Sequence, residues 1–191
     1  MRIGVDIDGV LNDVGSWHYS CGFKFCIDNN IDRGFNPHKY LMEEQFFLTD
    51  EENNKFWKEY IFDLMVSIPP RSYAAKIIST LKDMGHQIVI LSARDNRYLS
   101  NQYANTMNFY VEEWLKKNNI EYDEIVAGPG NKKDNIDVMI EDKANNVMEI
   151  SKYIPVICFD TPYNLDAAGD NIYRVYSWYQ IYKYFLDKDV E

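Results

Sequence analysis

The chain has 191 residues, of which 46% are hydrophobic and 15% aromatic, and it carries a formal net charge of −10. This length suits one domain, or one domain with an insert, and the apolar fraction can fill a core. The negative charge disfavours binding to nucleic acid polymers and to anionic membranes. Three cysteines without a CxxC pair, and no leader-like or membrane-spanning apolar run, predict a cytoplasmic protein with reduced thiols.

The first predicted strand ends in a pair of acids. Apolar residues run from Ile3 to Ile7 around Asp6, and Asp8 and Gly9 follow, which is typical of a buried parallel strand at its carboxyl end. Ligands of open α/β sheets bind outside that end. Because two carboxylates about 4 Å apart repel each other by roughly 1 kcal/mol even in bulk water, a hard cation such as Mg²⁺ is expected between them. The alternative is a solvated polar turn.

Residues 15–68 are rich in aromatic and charged side chains and are predicted to form a small helical insert. Ser16 is expected to cap its first helix, and Asn36-Pro37 is expected to begin another. Thr49 to Glu52 resembles a capping box ahead of a third helix. Pro69-Pro70 ends the segment, because neither residue suits a helix interior.

From Arg71 onward, helical and strand patterns alternate, which predicts an α/β fold with a parallel sheet and right-handed crossovers. Helices are expected at 73–84, 99–118, 144–153 and 177–186. Strands are expected at 87–91, 124–127, 137–140 and 156–159, with a short sixth segment at 172–175. Gly85 is expected to end the first of these helices.

Four predicted strands end in polar side chains that together suit phosphate chemistry. These are Asp6 and Asp8 after the first strand, Ser92 after the second, Lys132 and Lys133 after the third, and Glu141 and Asp142 after the fourth. Because the carboxyl ends of parallel strands share one edge of a sheet, the side chains are expected to converge. A carboxylate cluster for a metal, a hydroxyl and an ammonium group are the parts that hold a phosphate dianion during transfer.

These motifs resemble those of the haloacid dehalogenase superfamily of phosphohydrolases. Asp6-Ile7-Asp8-Gly9-Val10 is similar to the first motif of that family, Ile90-Leu91-Ser92 to the second, either Lys132 or Lys133 to the third, and Ile140-Glu141-Asp142 to the fourth. Within the superfamily, the chain resembles the 5′(3′)-deoxyribonucleotidase-like group. The resemblance implies a Rossmann-like core of residues 1–14 and 69–191, with helices on both faces of the sheet and residues 15–68 as a helical cap.

The resemblance also implies a role for each motif residue. Asp6 would be the nucleophile that forms an aspartyl-phosphate, and Asp8 would be the general acid and base. Mg²⁺ would be held by Asp6, the backbone carbonyl of Asp8 and Asp142, with Glu141 close behind. Phosphate would be bound by one lysine, with a slight preference for Lys132, by Ser92, and by backbone N–H groups near Asp8, Gly9 and Ala93.

Several aromatic and basic side chains have two interpretations. Trp17, Tyr19 and Phe23 of the insert are the candidates to face a substrate, whereas packing between cap helices is the commoner role of such residues. Arg94 and Arg97 follow Ser92 and are candidates to contact a second anionic or polar group of the substrate. The alternative for them is an ordinary salt bridge. His18, Cys21, Cys26 and His38 lack the spacing of common zinc sites and are expected to be structural.

The sequence therefore predicts a Mg²⁺-dependent phosphomonoesterase that acts on a small phosphate ester, with a (deoxy)nucleoside monophosphate as the best candidate. A phosphatase or phosphomutase for sugar or other metabolite phosphates is the alternative. A phosphate-binding protein without catalysis is a third, although a binder has no need of the second carboxylate, Asp8. A phosphorelay receiver is disfavoured, because the acids occur at the ends of the wrong strands. A homodimer is left open.

Overall fold

The computed structural model describes residues 1–94, 106–127 and 135–188, and its centre is a six-stranded parallel sheet. The strands are β1 (Arg2–Asp6), β2 (Gln87–Ser92), β3 (Glu124–Ala127), β4 (Val138–Glu141), β5 (Val156–Phe159) and β6 (Ile172–Val175). Their spatial order is β3-β2-β1-β4-β5-β6. The chain order reverses between β1 and β4, and ligands of such sheets bind at this reversal.

The described helices connect these strands and cover the sheet. They are α1 (Val14–Asp28), α2 (Met42–Gln45), α3 (Asp50–Val66), α4 (Ala74–Asp83), α5 (Met107–Lys117), α6 (Ala144–Ile150) and α7 (Trp178–Lys188). No helix in the described ranges is both long enough and apolar enough to cross a membrane. The three cysteines are free thiols.

Both faces of the central strands β1, β2, β4 and β5 are buried, and successive residues of β2 point to opposite faces. Ile88 and Ile90 belong to an apolar cluster with residues of α4, α5 and α7, whereas Val89 and Leu91 belong to a second cluster with residues of α6. This alternation follows from the two-residue period of a strand. It explains why the strands read as continuous apolar runs rather than as alternating ones. The predicted α/β class, with helices on both faces, is confirmed.

The segment that contains α1, α2 and α3 forms an apolar cluster of its own, built around Phe25, Phe46 and Phe56. Met107 of α5 also belongs to this cluster, so the segment rests on that helix. Its two connections to the sheet lie side by side: Asn12 forms an antiparallel bridge with Pro70. These two chain connections, at Asn12 and Pro70, form a double joint between the helical segment and the core, beside the end of β1.

Arg71 holds this joint together. Its backbone N–H donates to the carbonyl of Leu11 at 2.7 Å, and its Nε donates to the carbonyls of Gly9 and Asn12 at 3.1 and 3.2 Å. The guanidinium also lies over the ring of Phe159, 4.3 Å from its centroid. One cation thus ties the turn after β1 to the chain that returns from the helical segment.

Two predicted helix starts are wrong. The cap of α1 is Asp13, whose carboxylate accepts the N–H of Ser16 at 3.2 Å, so the helix begins before Ser16. Both residue types are good N-caps, so Asp13, three residues earlier, fills the position that was predicted for Ser16. No helix begins at Asn36-Pro37; these residues lie in an irregular segment that ends at α2. The capping box of Thr49 and Glu52 is confirmed.

The remaining predicted elements agree with the structure to within a few residues. Strands 124–127, 156–159 and 172–175 match β3, β5 and β6. The predicted first strand, residues 3–7, is shifted by one residue relative to β1 (Arg2–Asp6), because the chain turns after Asp6. Helix α6 ends at Ile150 rather than 153. Helix α5 begins at Met107, and residues 99–105 of the predicted helix lie outside the described residues.

Candidate active site

The carboxyl ends of three adjacent strands bring polar side chains together. Asp6 ends β1, Ser92 ends β2 and Glu141 ends β4, with Asp142 directly after it. Strand β1 lies between β2 and β4, and its register with β4 places Val5 beside Ile140. The next step along both strands therefore places Asp6 beside Glu141, at the reversal of strand order.

Asp6, Glu141 and Asp142 form a buried acidic cluster. One carboxylate oxygen from each lies within 4.8 Å of the others, and the three residues are at most 7% exposed. Two like charges at such a distance repel by roughly 3 kcal/mol at an effective dielectric constant of about 20. A cluster of this kind needs a proton or a cation to be stable, and oxygen ligands alone favour hard ions such as Mg²⁺ or Ca²⁺.

The two carboxylate oxygens of Asp142 have different surroundings. Oδ2 accepts the hydroxyl of Tyr163, whereas Oδ1 is buried and has no hydrogen-bond partner among the described residues. Burial, followed by the charges of Glu141 and Asp6, raises the pKa of Asp142 well above 3.8. A buried acceptor without a donor is costly, and a cation at Oδ1 would remove this cost. The donor set therefore fits a hard divalent metal.

Glu141 is held by a set of donors from its own loop. Its Oε1 accepts the backbone N–H groups of Asp142 and Lys143, both at 3.1 Å, and its Oε2 accepts the side-chain amide of Asn146 at 2.9 Å. These bonds fix the start of α6 relative to the end of β4. Glu141 therefore places its neighbour Asp142 as well as adding negative charge to the cluster.

Asp8 lies outside the acidic cluster and has a cationic partner of its own. Arg94 donates to it from two nitrogens, from Nε at 2.8 Å and from Nη2 at 2.6 Å, and the side-chain amide of Asn12 donates at 3.0 Å. Burial opposes the ionised form, but Arg94 and then Asn12 outweigh it, so the pKa of Asp8 is lowered below 3.8. Two acids that are two residues apart thus occupy opposite electrostatic environments.

The turn over Ile7–Leu11 separates these two acids and depends on Gly9. The φ angle of Gly9 is +89°, and a Cβ atom at this position would lie 1.9 Å from Oδ2 of Asp142. No side chain fits there unless Asp142 moves. The backbone N–H of Gly9, a candidate phosphate donor, donates to Oδ1 of Asn12 at 3.2 Å, so a phosphate would have to replace this bond.

We expect Gly9→Ala to reduce turnover by at least about 100-fold, because a misplacement of about 1 Å within an active site can cost that much. Gly85→Ala is the matched control: its φ angle is +88°, and nothing lies within 4 Å of its would-be Cβ. Both variants carry the backbone cost of about 1–2 kcal/mol, and only Gly9→Ala collides with Asp142. Steady-state kinetics and thermal unfolding of both variants test this, and equal losses of activity would contradict it.

The residues after β2 reach the same region. Ser92 is 3% exposed, and its hydroxyl accepts the backbone N–H of Arg94 at 3.2 Å. Ala93 is exposed. Of the guanidinium nitrogens of Arg94, Nη1 is buried without a hydrogen-bond partner among the described residues. The salt bridge that the sequence offered as one alternative for Arg94 is present, and an anion could still bind at Nη1. Lys132, Lys133 and Arg97 lie outside the described residues.

The three aromatic candidates belong to the helical segment. Trp17 is buried, stacks on Trp57 at 6.2 Å and donates its ring N–H to Asp63 at 2.7 Å. Tyr19 and Phe23 pack on Phe35 at 5.1 and 5.0 Å, and Phe23 remains 46% exposed. These contacts are within the segment itself, and substrate binding by these residues stays a prediction.

Three side chains near the acids had no role in the sequence-based site. Tyr163 contacts Asp142, and Tyr40 packs edge to face on Tyr163 at 5.3 Å. His18 is buried and packs against both Trp17 and Trp57. Burial lowers the pKa of His18 to about 4 although the charge of Asp8 opposes this, so its ring is neutral at pH 7. Only Tyr163 had a sequence signal, since it closely follows the end of β5.

Comparison of the sequence with known proteins finds nucleotidases. The family model for "5′ nucleotidase, deoxy (Pyrimidine), cytosolic type C protein" matches residues 1–189. A curated protein of Clostridium acetobutylicum that is named a nucleotidase is 28% identical over an alignment 191 positions long, which covers 95% of this chain and 92% of that protein.

Two solved structures show the same fold. A haloacid dehalogenase-like hydrolase from Streptococcus pneumoniae has a TM-score of 0.67 at 12% identity and covers 96% of this chain and 97% of its own. A β-phosphoglucomutase from Clostridium difficile has a TM-score of 0.56 at 18% identity and covers 98% and 96%. The family model matches nearly the whole chain, so this protein belongs to the cytosolic type C 5′-nucleotidase family and is a phosphoric monoester hydrolase of the haloacid dehalogenase superfamily.

Proposed function

We propose that this protein is a Mg²⁺-dependent 5′(3′)-nucleotidase that hydrolyses (deoxy)nucleoside monophosphates through an aspartyl-phosphate on Asp6. The observation that carries the proposal is the division of the acids. Asp6 lies in a buried carboxylate cluster with Glu141 and Asp142, whereas Asp8 is held apart by Arg94. One set suits a cation and a nucleophile, and the separate carboxylate suits proton transfer.

In this proposal a carboxylate oxygen of Asp6 attacks phosphorus, and the bond to the leaving oxygen breaks. Asp8 gives that oxygen a proton. Asp8 then takes a proton from a water molecule, which attacks phosphorus and breaks the bond to Asp6. The products are the alcohol and inorganic phosphate, and both acids return to their starting states.

Mg²⁺ would be held by Asp6, by the backbone carbonyl of Asp8 and by Asp142, with Glu141 beside them, and would supply charge neutralisation for the phosphoryl group. Oδ1 of Asp142 supports this assignment, because it is buried and accepts no hydrogen bond within the part of the chain that the structure describes. The proposed phosphate contacts are Ser92, Arg94, Gly9, Ala93 and one of Lys132 and Lys133. For Arg94, the role is supported by its buried Nη1, which has no hydrogen-bond partner in residues 1–94, 106–127 and 135–188.

We also propose that residues 15–68 act as a cap over a core of residues 1–14 and 69–191. The separate apolar cluster of the helical segment and its double joint at Asn12 and Pro70 support this division. A cytoplasmic location is part of the proposal, because the family is described as cytosolic and the cysteines are free thiols. A homodimer stays a prediction.

A substrate panel tests the proposed function. Release of inorganic phosphate is measured from 5′- and 3′-nucleoside monophosphates, their deoxy forms and sugar phosphates, with Mg²⁺ or with a chelator. We expect kcat/KM for a nucleotide to exceed that for every sugar phosphate by about tenfold or more, and chelation to stop turnover until Mg²⁺ is restored. Preference for a sugar phosphate would support the metabolite-phosphatase alternative, and no hydrolysis of any ester would support a binding protein.

A further inference from the structure

A second layer of contacts around the acidic cluster contains a tyrosine that the proposed mechanism does not use. The hydroxyl of Tyr163 donates to Oδ2 of Asp142, while Oδ1 of the same carboxylate is buried and unpartnered among the described residues. The terminal torsion of an aspartate is broad and nearly two-fold. A single donor on Oδ2 therefore decides which oxygen is left for a cation.

The loop that carries Tyr163 is held rigidly to the same residue. The side-chain amide of Asn164 donates to the backbone carbonyl of Asp142 at 2.6 Å and to that of Phe159 at 2.8 Å. Arg174 of β6 in turn donates to Asn164 at 2.8 Å and to Asp160 at 2.7 Å. Tyr163 thus approaches the Asp142 carboxylate from a loop that is already fixed to the Asp142 backbone.

The helical segment contacts this loop at the same point. The Tyr40 ring packs edge to face on the Tyr163 ring, with centroids 5.3 Å apart, and Nδ1 of His38 lies 3.0 Å from the carbonyl of Pro162. The ammonium group of Lys143, which follows Asp142, lies 4.5 Å from the centroid of the Tyr40 ring. The proposed cap, the Tyr163 loop and the acidic cluster therefore form one continuous set of contacts.

We propose that Tyr163 is a positioning residue that orients the Asp142 carboxylate toward the divalent cation, and that Tyr40 supports the Tyr163 ring from the cap. This inference rests on the cation site of the proposed function. Second-layer hydrogen bonds of this kind orient metal ligands and set metal affinity. Contact between the cap and the core thereby becomes part of the cation site.

Cation binding to the full chain tests this inference without measuring activity. Mn²⁺ and Mg²⁺ affinities are measured by titration calorimetry for the unmodified protein, Tyr163→Phe, Tyr40→Leu and two controls. We expect Tyr163→Phe to weaken binding by about tenfold or more, and Tyr40→Leu, which loses one aromatic pair, by about threefold. Tyr176→Phe, at a side chain that is 65% exposed, should bind as the unmodified protein does.

Asp142→Asn is the second control and separates this inference from the proposed function. Loss of binding in both Asp142→Asn and Tyr163→Phe supports the positioning role. Loss only in Asp142→Asn, with Tyr163→Phe unchanged, overturns that role and leaves the cation site intact. Undiminished binding in Asp142→Asn overturns both. Metal-free unfolding curves show whether each variant is folded. If Tyr163→Phe does not fold, Tyr163→Leu tests the loss of the same hydroxyl.

Discussion

Asp6→Asn is expected to lower kcat by at least about 10⁴-fold, because an amide cannot replace a carboxylate that forms the covalent intermediate. The fold should be preserved, since the amide has nearly the same shape. The metal-free variant should in fact unfold at a temperature a few degrees higher. Replacing one of three buried carboxylates relieves like-charge repulsion, and about 1 kcal/mol shifts Tm by roughly 2–4 °C in a protein of this size.

The difficulty in this experiment is that Asp6 is also a proposed cation ligand. Asp142→Asn is the matched control, because it removes a ligand from the same cluster and leaves the nucleophile in place. A high concentration of Mg²⁺ should restore part of the activity of Asp142→Asn and none of that of Asp6→Asn. If Mg²⁺ restored both variants equally, Asp6 would be a ligand only and the covalent mechanism would be wrong.

The sheet could be predicted from the sequence because each strand is a short apolar run with clear limits. Buried parallel strands need apolar residues on both faces, and Val156–Phe159 shows this pattern without ambiguity. The polar residues that end β1, β2 and β4 then had to converge, since the carboxyl ends of parallel strands share one edge. Topology alone accounts for the proximity of Asp6 to Glu141 and Asp142.

The contacts that surround these acids could not be predicted in the same way. The partner of Asp8 is Arg94, 86 residues away, and both residues lie beyond the ends of their strands, where no period fixes a side-chain direction. Tyr40 lies in an irregular segment whose position depends on the packing of the whole helical segment. The N-cap of α1 was missed for a local reason, because Asp13 and Ser16 are both good caps.

The pairing of Asp8 with Arg94 also constrains the chemistry. A general acid must carry a proton, yet the Arg94 guanidinium keeps the pKa of Asp8 below 3.8 in this structure. The proton donation that we propose for Asp8 therefore requires Arg94 to release Asp8 at least in part. An incoming phosphate provides a reason for release, because it offers Arg94 a second anionic partner. The later removal of a proton from water needs the ionised form, which Arg94 favours.

Asp8→Asn is expected to lower the rate of phosphate release by at least about 10³-fold, within the range that general acid–base catalysis contributes. With p-nitrophenyl phosphate, whose leaving group needs no proton, the first step should still occur. One equivalent of p-nitrophenol per enzyme should then appear in a burst, and intact-protein mass spectrometry should show one added phosphoryl group. A double variant, Asp6→Asn with Asp8→Asn, should show neither.

Arg94→Gln separates the loss of the acid–base group from the loss of its ion pair. The Arg94 side chain is 6% exposed and that of Asp8 is 20% exposed, so removing one partner of this pair is expected to lower the free energy of unfolding by about 3 kcal/mol or more. Asp8→Asn and Arg94→Gln share this cost in stability, but Arg94→Gln keeps the Asp8 carboxylate, which is proposed to activate water. It should therefore complete turnover slowly and accumulate no phosphorylated protein. Accumulation in Arg94→Gln, or steady turnover by Asp8→Asn, would assign the proton transfer to another group.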